Sequence, residues 1–270
     1  MVTVGSDGSN AGLAAVGWAG EYARLWQASL RIVTVGSHRS VKSPIDDARR
    51  QISREEFQRD QRMEQKVKAA FSRAVGFVPK ERVDTRVVTG DPVEALVRSA
   101  DRGPLVVGTR RLGFLFGTIA GSVSRRVIGR AHGPVAVVSG LPSEPRKRVV
   151  AGVDGGESTD AVVAFAAEEA RVRDAELLVC RALGASSADD RSFEAIAVAI
   201  ENAKRSSRGV RVVSESPRKD PVGLLVGRSA EADLIVVGTR SLGLTAGLLR
   251  GSVGQRLTVR SKCPVVVIPA

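Results

Sequence analysis

The sequence predicts an α/β protein made of two tandem domains, each a doubly wound five-stranded parallel sheet with helices on both faces. Two observations predict this fold. Apolar runs alternate strictly with helical patterns, and several of the runs are apolar at every position, as in strands buried on both faces. The second half of the chain also repeats the first, and 270 residues exceed the length of one typical domain.

The repeat covers both ends of each copy. The stretch from Val106 to Val138 recurs without a gap as Val236 to Ile268, and Val4 to Gly8 recurs as Ala151 to Gly155. The copies differ mainly in the length of their middles. The chain is therefore interpreted as one domain duplicated.

In the first copy, the helix after strand one carries an apolar stripe at i, i+3, i+4 spacing that should face the sheet, so Trp18 in that stripe is expected in the core. The five strands are predicted at Val2 to Gly5, Leu30 to Val35, Val83 to Val88, Leu105 to Val107 and Val135 to Val138. The helices are predicted near Ala11 to Trp26, Asp46 to Val75, Pro92 to Ala100 and Ser122 to Ala131.

The second copy offers the same series, so we predict domains at 1–140 and 147–270. They are joined by the segment Ser139 to Arg148, which is rich in proline, serine and charge. Strands are predicted at Val149 to Val153, Leu177 to Cys180, Val210 to Val213, Leu234 to Val237 and Val265 to Ile268. Helices are predicted near Thr159 to Arg173, Arg191 to Arg205, Pro221 to Ala230 and Ser252 to Val259.

Composition narrows the class of protein. No apolar run approaches the roughly 20 residues of a membrane span, and no export signal is recognisable, so we expect a cytoplasmic protein with no membrane partner. Cys180 and Cys263 are isolated and lie in or beside predicted strands, which favours buried free thiols. With two histidines in the chain, no metal-ligand spacing is found.

Charge gives a general preference without a defined site. The net charge of +12 favours anionic partners through the field of the whole protein. Aromatic residues make up 4% of the chain, too few for a base-stacking platform, and no recognition motif is present. We therefore expect no specific nucleic-acid partner.

Two segments of each copy should meet where a ligand can bind. In a doubly wound sheet, ligands bind beyond the carboxyl ends of the strands, at the point where the strand order reverses. The turn after strand one (Asp7 to Ser9, Asp154 to Gly156) should lie there with the loop after strand four (Gly108 to Gly121, Gly238 to Gly251). That loop ends at a helix start, where unpaired backbone N–H groups can bind a phosphate.

The same residues also allow a purely structural interpretation. A serine before a helix, such as Ser122 or Ser252, is an ordinary N-cap as well as a donor to phosphate. Asp7 and Asp154 could be turn-forming residues rather than ligand contacts.

At these residues the chain resembles tandem universal stress proteins, over nearly all of both copies. The resemblance is carried by the early V-G-x-D-G-S element and by the loop that the family writes G-x2-G-x9-G-S/T, followed by a helix and P-V-x-V-[VI]. It implies Rossmann-like domains of the adenine nucleotide alpha-hydrolase-like type. In the ATP-binding branch of the family, it also implies ATP, with or without Mg²⁺, as the ligand.

In that branch the aspartate after strand one contacts the ribose, the end of strand two holds adenine through backbone atoms, and the loop wraps the phosphates. The residues implied in copy one are Asp7, Gly8, Ser9, Val35, Gly108, Thr109, Arg110, Gly121, Ser122 and Val123. Those implied in copy two are Asp154, Gly155, Arg181, Gly238, Thr239, Arg240, Gly251, Ser252 and Val253. No catalytic residue is implied.

The phosphate loop departs from the family pattern at one position. The second glycine of the motif is Arg111 in copy one and Ser241 in copy two, so a backbone suited to positive φ carries a β-carbon. The arginine could instead direct its guanidinium at a phosphate. Whether one, both or neither copy binds ATP stays open.

Three functional hypotheses follow. The favoured one is an ATP-binding stress or dormancy regulator that contacts an unknown protein partner in a nucleotide-dependent way. The second is an interaction module of the same family that no longer binds nucleotide. A slow nucleotide hydrolase is less favoured, because no histidine, cysteine or carboxylate is clearly placed as a general base beside the loop.

The last strand of each copy is expected at a sheet edge, where strands pair with a neighbour. Members of the resembled family pair their domains through these strands. The resemblance therefore implies an internal pseudo-dimer of the two halves, and a homodimer of the full chain stays open.

Overall fold

The computed structural model describes residues 1–36, 54–109, 122–139, 141, 144–182, 190–239 and 257–269. Within these ranges, ten strands form one continuous sheet in the order β3-β2-β1-β4-β5-β10-β9-β6-β7-β8. The strands of the first half are β1 (Val2–Gly5), β2 (Leu30–Gly36), β3 (Val83–Thr89), β4 (Leu105–Gly108) and β5 (Val135–Val138). Those of the second half are β6 (Arg148–Gly152), β7 (Glu176–Cys180), β8 (Val212–Glu215), β9 (Leu234–Gly238) and β10 (Val265–Ile268).

Helices follow the strands in both halves. They are α1 (Asn10–Leu25), α2 (Arg54–Ala74), α3 (Pro92–Ala100), α4 (Ser122–Ile128), α5 (Thr159–Val172), α6 (Asp190–Ser206) and α7 (Pro221–Arg228). Residues 257–260 are also helical, and a short 3-10 helix spans Lys80–Arg82. None of the described helices combines the length and the apolar composition that a membrane crossing requires.

Each half has the predicted doubly wound topology. The first half runs β3-β2-β1-β4-β5 with parallel pairing throughout, and the second repeats this order as β8-β7-β6-β9-β10. The strand order therefore reverses between β1 and β4, and again between β6 and β9.

The last strands of the two halves pair with each other, as expected. β5 and β10 run antiparallel, with Val135 opposite Val267 and Val137 opposite Val265. This pairing turns the two half-sheets into one sheet, and both strands are buried at all four positions.

A buried core lies on each face of the sheet. On one face, residues of α1, α2, α5 and α6 pack against the strands in a single cluster that includes both halves. Trp18 belongs to this cluster and is 5% exposed, which confirms its predicted place in the core. The other face packs under α3, α4 and α7.

Where the two halves meet, the core on the face of α1 and α5 contains a polar cluster. Its members are Tyr22, Trp26, Glu169 and Arg173. The Glu169 side chain is fully buried. Its Oε1 accepts a hydrogen bond from Trp26 Nε1 at 2.9 Å, and its Oε2 accepts from Arg173 Nη2 at 3.0 Å. Burial raises the pKa of the Glu169 carboxyl, and the Arg173 guanidinium opposes this shift. Tyr22 is also hydrogen-bonded to Glu169, so the two halves share a buried carboxylate.

One strand differs from its prediction by two residues. The sequence predicts β8 at Val210 to Val213, whereas the strand spans Val212–Glu215. Its pairing with β7 begins at Val212, which lies opposite Leu177. β8 is an edge strand and includes the polar residues Ser214 and Glu215, which a search for apolar runs does not assign to a strand. The starts of the predicted helices at Asp46 and Ser252 lie outside the described residues.

Candidate functional site

A cleft of about 210 Å³ opens at the carboxyl ends of β1 and β4, where the strand order of the first half reverses. This is the position predicted from the topology. Its apolar lining consists of Val33, Val35, Pro92, Leu96, Val107 and Val123. The turn after β1, the start of α1 and the end of β4 complete it with Gly5, Ser6, Asp7, Ser9, Ala11, Gly12 and Gly108.

The turn after β1 is held by Asp7 and Ser9. Asp7 Oδ1 accepts hydrogen bonds from the Ser9 backbone N–H at 2.9 Å and from Ser9 Oγ at 2.5 Å. Ser9 Oγ in turn accepts from the Gly12 N–H at 3.2 Å, which caps α1. Gly8 between them has a φ of +76°, a backbone conformation that residues with a side chain rarely adopt. Asp7 thus forms the turn and also lines the cleft.

The end of β4 touches the start of α1 through backbone atoms. A β-carbon on Gly108 would overlap the carbonyl oxygen of Ala11. Glycine at this position therefore lets the strand end and the helix start meet at the cleft.

Two predicted site residues, Thr109 and Thr239, extend the sheet through their backbone N–H groups. The Thr109 N–H donates to the Val138 carbonyl at 3.0 Å, and the Thr239 N–H donates to the Ile268 carbonyl at 3.0 Å. Gly8 lies outside the lining, because it packs against the side chain of Lys66. Its role is in the turn.

The turn after β6 in the second half is similar but lacks the serine. Asp154 Oδ1 accepts from the Gly156 N–H at 2.9 Å, and Gly155 has φ of +84°. Because Gly156 takes the place of Ser9, no hydroxyl caps the helix from this position. The N-cap of α5 is Ser158, which makes no side-chain capping hydrogen bond.

The assignment of Arg181 as the counterpart of Val35 was wrong by one residue. The register pairs Gly5 with Val33 and Gly152 with Cys180, so Ala182 corresponds to Val35. Neighbouring strand residues point to opposite faces of a sheet. The Arg181 guanidinium accordingly lies over the ring of Phe193 in α6, with its carbon 4.1 Å from the ring centre.

Several predicted residues cannot be placed. Ser122 begins α4, and only its backbone is described. The residues outside the described ranges are Arg110, Arg111, Gly121, Arg240, Ser241, Gly251, Ser252 and Val253.

Sequence reasoning missed most of the apolar lining. Val33 and Leu96 were predicted only as parts of a strand and a helix, yet both line the cleft. Strand alternation could have identified Val33, because it lies two residues before Val35 and on the same face. Leu96 depends on how α3 packs, for which the sequence gives no direct signal.

The start of α3 beside the cleft is already capped. Asp91 accepts hydrogen bonds from the N–H groups of Val93 at 2.9 Å and Glu94 at 3.2 Å. The Glu94 N–H bond holds the pKa of Asp91 below its usual range. Arg126 Nη2 donates to the second carboxylate oxygen at 3.1 Å. An anionic ligand group is therefore not required at this helix start.

The described part of the chain contains no group of three or more side chains suited to hold a metal ion. In the described lining of the cleft, Asp7 is the ionisable side chain. The arrangement is that of a binding cleft with an apolar wall and one carboxylate.

Comparison with known proteins identifies a family match over nearly the whole chain. The model of the universal stress protein family matches residues 1–139 and again 145–269. Universal stress protein Rv2623 of Mycobacterium tuberculosis is 30% identical over 201 residues, covering 68% of each chain.

A solved structure with full-length coverage shows the same fold. A universal stress protein from Archaeoglobus fulgidus matches with a TM-score of 0.72 at 18% identity, covering 99% of this chain and 98% of its own. A second protein from that organism, solved in complex with dAMP, is 25% identical and covers 45% of this chain and 95% of its own, with a TM-score of 0.36. The twofold family match over nearly the entire sequence shows that this chain belongs to the universal stress protein family, with two tandem domains of that family.

Proposed function

We propose that the chain binds an adenine nucleotide in the cleft of its first half and acts in the cytoplasm as a stress or dormancy regulator. ATP, with or without Mg²⁺, is the proposed ligand, and its occupancy would change the contact with a protein partner. The observation that carries the proposal is the cleft at the switch point of the first half, which combines an apolar wall with Asp7.

The lining suits a nucleoside. Small-molecule sites combine apolar walls with a few placed polar groups, and here Val33, Val35 and Leu96 offer a wall for a planar base. Asp7 suits the ribose, because a carboxylate has about four lone-pair sites and can accept from a sugar hydroxyl as well as from Ser9.

The size of the cleft suits part of a nucleotide. Its volume of about 210 Å³ is below the roughly 300–1,000 Å³ typical of complete small-molecule sites. We assign the base and sugar to this cleft and the phosphates to the glycine-containing segment after β4, in which Arg110 and Arg111 supply positive charge. That segment lies outside the described residues.

Binding without turnover is the favoured mode of action. Hydrolysis needs a general base within hydrogen-bond reach of the attacking water. Asp7 is the one candidate in the described lining, and its Oδ1 already accepts two hydrogen bonds from Ser9. The nucleotide would therefore act as a bound signal.

Titration of the full chain with ATP by calorimetry, with and without Mg²⁺, tests the proposal. We expect saturable binding, and Asp7→Ala should weaken it at least about tenfold, corresponding to about 1.4 kcal/mol. Glu81→Ala is a charge-matched control, because Glu81 is exposed and precedes β3 at the opposite end of the sheet. No saturable binding at millimolar ATP would contradict the proposal, and steady ADP release would replace it with the hydrolase hypothesis.

A further inference from the structure

We propose that the two halves are functionally unequal, so that the first half takes the nucleotide while Thr159 closes the equivalent crevice of the second. This inference rests on the proposed function. It assigns Gly12 and Thr159 as the residues that determine how many nucleotides one chain binds.

The correspondence between Gly12 and Thr159 follows from two fixed points. Asp7 and Asp154 follow the first strand of each half, and each accepts from the N–H two residues later. Gln27 and Asp174 end the first helical segment of each half, both with φ of +50°. Because the two segments between these points have equal length, residue 12 corresponds to residue 159.

Gly12 leaves space beside Asp7. It lines the cleft, and a β-carbon on it would lie 2.8 Å from Asp7 Oδ1 and 3.3 Å from Ser6 Oγ. A side chain at this position would therefore crowd the carboxylate proposed to contact the ribose. Gly12 does not have a positive φ, so its backbone conformation does not require glycine. The close contact with Asp7 and Ser6 is what requires it.

In the second half, the positions that correspond to Ala11 and Gly12 carry the buried hydroxyl side chains of Ser158 and Thr159. Thr159 is 3% exposed and Ser158 is 6% exposed. The Ser158 hydroxyl lies where a β-carbon of Gly238 would be, whereas the equivalent contact in the first half is made by a backbone carbonyl.

The backbone that leads into α5 also differs from the backbone that leads into α1. Thr159 is the first residue of α5, while Gly12 is the third residue of α1, so the chain before α5 makes an additional tight turn. The Thr159 N–H donates to the Gly156 carbonyl at 3.0 Å within that turn. Thr159 Oγ1 has no hydrogen-bond partner, so packing holds this side chain in its buried position.

Other replacements remove groups that complete the first cleft. Gly156 takes the place of Ser9, and Ala182 takes the place of Val35. Asp154 therefore loses a neighbouring hydroxyl, and the apolar wall becomes smaller. These changes leave the second crevice less suited to a ribose and a base, in addition to the space taken by Thr159.

Equilibrium dialysis of the full chain with radiolabelled ATP and Mg²⁺ tests the inference. We expect one nucleotide per chain for the natural protein, and two for Thr159→Gly. Adding Asp154→Ala to Thr159→Gly should remove the gained site. Gly12→Thr should weaken binding at least about tenfold, and circular dichroism of each variant checks that it folds.

The outcomes separate this inference from the proposed function. If the natural protein binds no ATP, the proposed function fails and the inference fails with it. If it binds two ATP per chain with similar affinity, or if Thr159→Gly still binds one, the proposed function stands and the inference is wrong. Thr159→Val should still bind one nucleotide per chain, because valine fills the same space, and a second site in this variant would also overturn the inference.

Discussion

At the scale of single residues, Glu215 at the end of β8 organises a small charge cluster. Arg228 Nε and Nη2 donate to its two carboxylate oxygens at 2.7 and 2.6 Å, and Cys180 Sγ donates at 3.1 Å. The Arg228 bonds hold the pKa of Glu215 below its usual range, while burial raises the pKa of the Cys180 thiol. Cys180 and Cys263 are both free and buried, as expected.

This cluster predicts a pH dependence of stability. Because the pKa of Glu215 is lowered on folding, its contribution is present above the unfolded value, near 4.5, and is lost as the pH falls through the folded value. Glu215→Gln should lower the free energy of unfolding by about 1 kcal/mol at pH 7. Urea denaturation from pH 3 to 8 should show this difference shrinking at acid pH.

The exposed pair of Glu201 and Lys204 is a matched control for that measurement. Glu201→Gln should leave the free energy of unfolding unchanged, because solvent screens the pair. An effect of Glu215→Gln that stays constant across the pH range would show that the ionised carboxylate is not its source.

Sequence reasoning succeeded at residues whose role is local. Asp7 and Gly8 were predicted from a turn that is built within a few residues, and the turn is present. Arg181 was misassigned by one residue, although the sequence offset that relates Gly5 to Gly152 also relates Val33 to Cys180 and therefore Val35 to Ala182. Thr109 was predicted from the loop motif alone, whereas the pairing of its N–H with the Val138 carbonyl depends on how β5 lies beside it.

At the scale of elements, the contact between the end of β4 and the start of α1 fixes one border of the cleft. Gly108→Ala should lower the free energy of unfolding by about 1–3 kcal/mol, because its β-carbon would overlap the Ala11 carbonyl oxygen. Gly227→Ala in α7 is the control, since a β-carbon there meets no atom within 4 Å. It should stabilise the chain by up to about 1 kcal/mol.

Denaturant unfolding of both variants measures these changes. Equal effects of the two substitutions would show that the close approach at Gly108 relaxes without cost. The same outcome would remove the physical reason for glycine at the end of β4.

The elements were predictable to the extent that they carry their own signals. α1 has an apolar stripe, and α3 has an aspartate cap followed by a proline at its first position, so their places agree closely with prediction. β8 was shifted because an edge strand is half-exposed and needs no continuous apolar run. The cleft lining was only partly predictable, because it joins residues of six separate elements.

At the scale of the whole molecule, β3 and β8 form the two edges of the sheet. Asp84 of β3 accepts from Arg31 of the neighbouring β2 at 2.8 Å and from Arg86 of β3 at 3.1 Å. Charges on an edge strand disfavour pairing with another chain. A homodimer of the full chain stays a prediction that sedimentation would test.

The junction between the halves is held by more than the pairing of β5 and β10. By the correspondence that relates Gly12 to Thr159, Tyr22 corresponds to Glu169 and Trp26 to Arg173. Equivalent positions of the duplicated helix thus carry aromatic donors in one half and an ion pair in the other. Two identical copies would bring like residues together, so the halves have diverged into complementary partners. The repeat alone could not predict this cluster, because it depends on how the halves pack.

A double-mutant cycle with Trp26→Phe and Glu169→Gln tests whether this cluster couples the halves. Glu169→Gln should lower the free energy of unfolding by about 3 kcal/mol, because it leaves the nearly buried Arg173 guanidinium without its anion. The two substitutions should couple by about 1 kcal/mol, since Trp26 Nε1 donates to the carboxylate across the junction. Pairing Trp26→Phe with Glu168→Gln provides the control, because Glu168 instead accepts from Ser207 within the second half, so that cycle should be additive. Urea denaturation of the full chain gives each free energy. Additivity in the Glu169 cycle as well would mean that the strands, and not this cluster, join the halves.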